Sequence, residues 1–154
     1  MKIRVPSVSA LLGLVLLFAF AVPSAISVNA AGKESKLVIH VSENDPAKMK
    51  LALNVVKATK KQFADKGNNI VIEVVVNAQG LHMMRADTSP VKKEIGLLAT
   101  KFDNLRFSAC GTTISKMNKK EGKPIKLITE ARRVTGGVLR IIELQEAGYS
   151  YIRP

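Results

Sequence analysis

The chain has no tryptophan, two tyrosines, five phenylalanines and a single cysteine. With one cysteine no internal disulfide can form, so packing alone must hold the fold. With so few aromatic rings there is no platform for stacking exposed nucleobases. Acidic residues are scarce, 12 against 24 basic ones. That imbalance favours anionic partners and speeds their encounter, and says nothing about fold. The lysines are scattered along the exposed faces of predicted helices, so nucleic acid is not expected as a partner. No G-x-G-x-x-G, G-x-x-x-x-G-K-[ST], C-x-x-C or H-x-x-x-H spacing occurs, so no cofactor or metal is expected.

Only one long uncharged run exists, Leu11 to Val22. Lys2 and Arg4 precede it, and small residues follow it, ending in Val28-Asn29-Ala30-Ala31. A basic start, a short apolar centre and small residues at a cleavage point mark a secretory signal peptide. The run falls short of the roughly 20 apolar residues that cross a bilayer. We therefore divide the chain into a signal peptide, 1–30, and one domain, 31–154. The expected product is periplasmic, with no membrane association after cleavage. Removing Lys2 and Arg4 lowers the formal net charge from +12 to +10.

Within the domain, apolar runs alternate with helical stripes. Lys36–Val41 and Ile70–Val76 read as strands, the second nearly all apolar, as suits a strand covered on both faces. Glu73 interrupts it and must lie near an edge or reach a partner. Asp45 or Asn44 caps a helix that opens at Pro46, with Met49, Ala52, Leu53, Val56, Lys60 and Phe63 on one stripe. A loop, Asn77 to Asp87, leads to a second helix, capped by Ser89-Pro90 and ending near Phe102. Leu105–Ala109 is a third strand and Thr112–Lys120 a short helix. Pro124–Ile128 is a fourth strand or an extended segment. A last helix runs from Thr135 to Ala147, with Val138, Ile141 and Ile142 turned inward, and Tyr149–Ile152 is a final short strand. The alternation predicts a three-layer α/β/α sandwich with a mostly parallel five-stranded sheet.

Sites in such sheets form at the carboxyl ends of the strands. That edge collects His40, Ser42, Glu43 and Asn44, then Asn77, Gln79 and His82, then Cys110, Gly111 and Thr112, and last Thr129 and Glu130. Cys110 is the strong nucleophile type among them. A helix beginning just after it would aim N–H groups and a positive dipole end at the sulfur, favouring thiolate or an anionic persulfide. The alternative is a small buried residue in a strand-to-helix turn. A third alternative is a thiol that forms intermolecular disulfides. His40, His82 and Cys110 come from separate elements and lack the close spacing of metal ligands.

Four blocks carry a resemblance: HVSENDPAKMKLALN (His40–Asn54), GLHMMRADTSPVKKEI (Gly80–Ile95), FSACGTTISKM (Phe107–Met117) and GGVLRIIELQEAGYSYIRP (Gly136–Pro154). In order, they make the chain similar to the DsrE/DsrF-like proteins of YchN-like fold, most closely their exported single-domain members. The resemblance implies a parallel five-stranded sheet and homo-oligomers, trimers or hexamers. It also implies a cysteine at this turn that carries sulfane sulfur as a persulfide in a relay, a role that falls on Cys110. The expected function is thus a periplasmic sulfur carrier or sulfurtransferase-like protein. Its catalytic residue would be Cys110, supported by Gly111, Thr112, His82 and Asn44, with donor and acceptor unidentified. The rival is a non-catalytic oligomeric binding or structural protein in which Cys110 only packs.

A fold without disulfides should ignore reductant. Thermal unfolding with and without a thiol reductant is expected to give the same midpoint.

Overall fold

A computed structural model describes residues 34–154; the signal-peptide assignment, with its cleavage after Ala30, lies outside the described residues. Five strands form one sheet: β1 (Ser35–Val41), β2 (Ile70–Val76), β3 (Leu105–Cys110), β4 (Ala131–Val134) and β5 (Ser150–Ile152). Their order is β4-β3-β2-β1-β5, and every pairing is parallel. Four α-helices connect them: α1 (Pro46–Asp65), α2 (Lys92–Lys101), α3 (Gly111–Glu121) and α4 (Gly137–Glu146). A 3-10 segment, Ala78–Met84, follows β2. No helix among the described residues is long and apolar enough to cross a membrane.

The layers follow from alternation along the strands. Leu37, Ile39 and Val41 of β1, Ile72, Val74 and Val76 of β2, and Leu105, Phe107 and Ala109 of β3 point to one face. There they meet Met49, Ala52, Leu53 and Val56 of α1, Ile95 and Leu98 of α2, and Ile114 of α3. The other face is thinner. Val38 and Val75 pack against Ile141 and Leu144 of α4. Chain direction explains the split. From β1 to β4 the chain steps along the sheet one way, and right-handed crossovers keep α1, α2 and α3 on one side. The last crossover returns from β4 to β5 at the far edge, so α4 takes the opposite side.

Local chemistry sets the ends of the elements. Asp45 caps α1, its carboxylate accepting from the N–H groups of Ala47 (2.8 Å) and Lys48 (3.4 Å), and Pro46 occupies the first turn. Gly67 just beyond α1 takes φ +68°, a conformation that disfavours side chains. Gly80 is required for a different reason. A Cβ there would lie 2.2 Å from the Val41 carbonyl oxygen, so the 3-10 segment could not approach the end of β1.

Four expectations need correction. Ser89 does not cap α2, which begins at Lys92; its hydroxyl instead donates to the Met83 carbonyl (2.5 Å). Pro124–Ile128 is extended but lies outside the sheet, paired with the end of the 3-10 segment through Ala86 N–H to Lys126 O and Ile128 N–H to Met84 O. The fourth strand is Ala131–Val134, so Thr129 and Glu130 precede a strand and do not follow one. In α4, Ile141 is buried as expected, but Val138 and Ile142 are exposed, at 59% and 48%, and Leu144 takes the inward place.

Glu73 sits in the middle of the sheet and is fully buried. It reaches partners: Ser108 donates to it (2.6 Å), and Arg132 and Arg140 each bind both of its oxygens. Burial pushes the carboxyl up, but the hydrogen bonds from Arg140, Ser108 and Arg132 outweigh it and hold the group at about 2, below its usual 4.5. A depressed carboxyl stabilises the fold fully above its unfolded value, and the contribution fades as pH falls toward the folded one. Acid titration of the unfolding free energy should therefore show a loss between those two values. Glu73→Gln should remove about 3 kcal/mol of that pH-dependent loss.

Candidate functional site

β3 and β4 are neighbours, yet the helices that follow them leave to opposite faces of the sheet. Such a reversal opens a crevice at the carboxyl edge. Cys110 ends β3, in register with Val134 at the end of β4. α3 starts at the next residue, Gly111, and α4 starts at Gly137. The first turns of two helices therefore converge on one sulfur. Neither helix has a side-chain cap or an acid in its first turn, unlike α1 with Asp45. Uncapped first-turn N–H groups are free donors, and with the dipole they favour an anion.

The approach is close because glycine permits it. A Cβ on Gly137 would stand 3.1 Å from Cys110 Cβ, 3.5 Å from its Sγ and 3.0 Å from Asn77 Cβ. A Cβ on Gly111 would stand 2.7 Å from the Val134 carbonyl oxygen and 2.8 Å from Arg133 Nε. Both glycines let main chain occupy the space that side chains would take.

Cys110 is a free thiol, 5% exposed. Burial pushes it up, but the Thr113 hydroxyl and the N–H groups of Thr113, Gly137 and Thr112 outweigh that and hold it below the ordinary thiol range. Thr113 Oγ1 accepts the N–H of Ala78 (3.1 Å), which leaves the hydroxyl proton for the sulfur. Ala78 holds φ +43°, a left-handed conformation that costs a residue with a Cβ on the order of 1 kcal/mol or more. The strain sits on the same hydrogen bond that orients Thr113.

The sulfur lies on a cavity of about 490 Å³. Asn77, Ala78 and Gln79 form one wall. Thr112, Thr113, Lys116, Met117 and Lys120 of α3 form a second, and Gly136, Gly137, Val138 and Leu139 a third. The lining carries two lysines and no carboxylate, which adds to the preference for an anion. Asn77 Oδ1 accepts from His40 Nε2 (3.0 Å), and His40 Nδ1 in turn accepts from the Tyr151 hydroxyl (2.9 Å). That chain fixes the Asn77 amide with its NH2 group left over.

The predicted set is thus divided. Cys110, Gly111 and Thr112 meet at the crevice. His82 is turned away, its Nδ1 on the Thr88 hydroxyl (2.8 Å), and it does not line the cavity. Asn44 is exposed and does not line it either. Sequence reasoning missed Thr113 and Gly137. The signal for Gly137 was the Gly136-Gly137 pair, which gained meaning only once β4 was placed just before it. Among the described residues no three His, Cys, Asp or Glu side chains gather as a metal site would need.

A scan of protein-family profiles and a search of curated proteins return no match. Among solved structures, the chain is similar to a protein of unknown function, MTH1491, from Methanobacterium thermoautotrophicum. The identity is 26% and the TM-score 0.67, over 79% of this chain and all of that one. That structure has the same fold.

Replacing Thr113 with Val removes the hydroxyl from the sulfur. Alkylation of the folded protein at neutral pH is expected to slow about tenfold, with recovery in Thr113→Ser, measured by pseudo-first-order kinetics with iodoacetamide.

Proposed function

We propose that the protein is a periplasmic sulfur carrier or sulfurtransferase-like protein of the DsrE/DsrF-like kind. The observation that carries this reading is the meeting of two uncapped helix N-termini on the Cys110 sulfur. The Cys110 thiolate attacks the outer sulfur of a sulfane donor, R–S–S⁻. A new S–S bond forms to Cys110, the donor's S–S bond breaks, and R–S⁻ leaves with the bonding pair. The Cys110 persulfide carries one negative charge, as the thiolate did, so the same N–H groups serve both. An acceptor thiolate removes the outer sulfur by the same displacement and regenerates Cys110. Lys116 and Lys120 favour anionic donors and acceptors. The apolar, exposed Val138, Leu139 and Ile142 on α4 support assembly with further copies, as trimers or hexamers.

The burial of Cys110 favours a second reading, a non-catalytic oligomeric binding protein in which the sulfur only packs.

Intact mass spectrometry after exposure to polysulfide or thiosulfate separates the two. The carrier is expected to gain one or more sulfur masses, lost on reduction and missing from Cys110→Ser. No adduct, together with a thiol that resists alkylation in the folded protein, leaves the packing reading.

A further inference from the structure

The crevice works only while α4 keeps its first turn on the sulfur, and little apolar contact holds α4 there. Among the described residues it is the sole helix on its face, and it buries Ile141 and Leu144 against Val38 and Val75. Val138, Leu139 and Ile142 stay exposed. The stronger attachment is ionic. Arg140 donates from Nε to Glu73 Oε1 (2.8 Å) and from Nη2 to Oε2 (2.9 Å). Arg140 lies one turn after Gly136, and its N–H bonds the Gly136 carbonyl (2.9 Å). Gly137, between them, packs its backbone on Cys110, where a Cβ would stand 3.5 Å from the sulfur.

The same carboxylate also ties the two strands that end at the crevice. Ser108, two residues before Cys110 on β3, donates to Glu73 Oε1, and Arg132 of β4 reaches both oxygens (3.1 Å each). One buried side chain in the central strand thus touches β3, which carries Cys110, β4, and α4, whose first turn faces the sulfur. An apolar residue at this place would satisfy a central strand at lower desolvation cost. The ion cluster therefore needs a reason other than the core.

We propose that Glu73 is a positioning residue for Cys110: by gripping Arg140, Arg132 and Ser108 together it holds the start of α4 against the sulfur. It does not touch the cavity itself, which lies beyond the Gly137 backbone. The inference rests on the thiolate that the sulfur-carrier reading needs, but its readout is titration of the thiol and not sulfur loading, so either can fail alone.

The test is the pH profile of Cys110 alkylation in the purified protein, with folding checked by circular dichroism. The other charged groups on the cavity, Lys116 and Lys120 of α3, stay the same in every variant. Around Glu73, Arg106 and Tyr149 are also unchanged. Glu73→Gln leaves Arg132 facing a neutral amide and Arg140 with Glu143 of its own helix (3.1 Å) as its one carboxylate, so among the described residues nothing ionic ties α4 to the sheet and its first turn loosens. The profile should move to higher pH, with the rate at neutral pH falling about fivefold, the worth of a partly buried helix end. Arg140→Lys keeps one charge but loses the fork, and should shift the profile in the same direction by less. Lys60→Gln is the control. Lys60 donates to the Ile70 carbonyl at the opposite, amino edge of the sheet (2.5 Å), so its loss should lower the melting temperature and leave the profile in place. An unmoved profile in folded Glu73→Gln or Arg140→Lys overturns the proposal. Failure of both variants to fold overturns it too, since Glu73 would then serve the fold as a whole.

Discussion

A parallel sheet sends every strand's carboxyl end to one edge, and the chain must then choose a face for each return. Here three returns take one face and the fourth takes the other. That single reversal, after β4, opens the crevice, aims α4 at the end of β3 and leaves α4, among the described residues, alone on its side of the sheet. Cys110 lies where the reversal occurs. No long side chain could have the same setting, since Gly111 and Gly137 give the space around the sulfur to backbone. The site is made of main-chain donors because the topology brings two helix starts to one point.

The reversal also creates a structural debt. α4 covers a sheet face with two buried apolar residues, a grip too small to fix its first turn closely. Glu73 supplies the missing constraint from within the sheet. Its desolvation is offset by two arginines and a serine, each from a different element. Arg85 shows the same device elsewhere. It is buried and paired with Asp87 and Glu121, and it ties the segment after the 3-10 turn to the end of α3. In both places one buried charged group with partners from separate elements does what a thicker apolar layer would otherwise do.

Much of the fold was legible because its signals are local. Asp45-Pro46 capped a helix, Gly67 ended it, and the apolar run of β2 spoke for a covered strand. The parts that misled are those whose pattern is set at a distance. β4 reads Ala-Arg-Arg-Val, which looks like loop, because an edge strand needs little apolar surface and Arg132 is there for Glu73. The apolar Pro124–Ile128 stood out instead, although it serves as a brace under Met84–Ala86. Val138 and Ile142 looked like core because apolar spacing does not say which face a helix buries. At the site, the cysteine and its glycine were visible from their turn. Thr113 and Gly137 were not, since each acts on the sulfur across a gap that only the folded chain closes. His82 and Asn44 lay near in sequence order along the sheet edge and are oriented elsewhere.

The sulfur is nearly buried and sits on a cavity wall. A disulfide between two copies needs Cβ atoms about 4 Å apart, and the burial of Cys110 on a cavity wall opposes so close an approach of two folded surfaces. A reacting partner must instead be slender: a small molecule, or a sulfur at the tip of a narrow arm. The crevice is therefore a steric filter as well as an electrostatic one. It shields a lone, activated thiol from cross-linking that it would undergo at the surface.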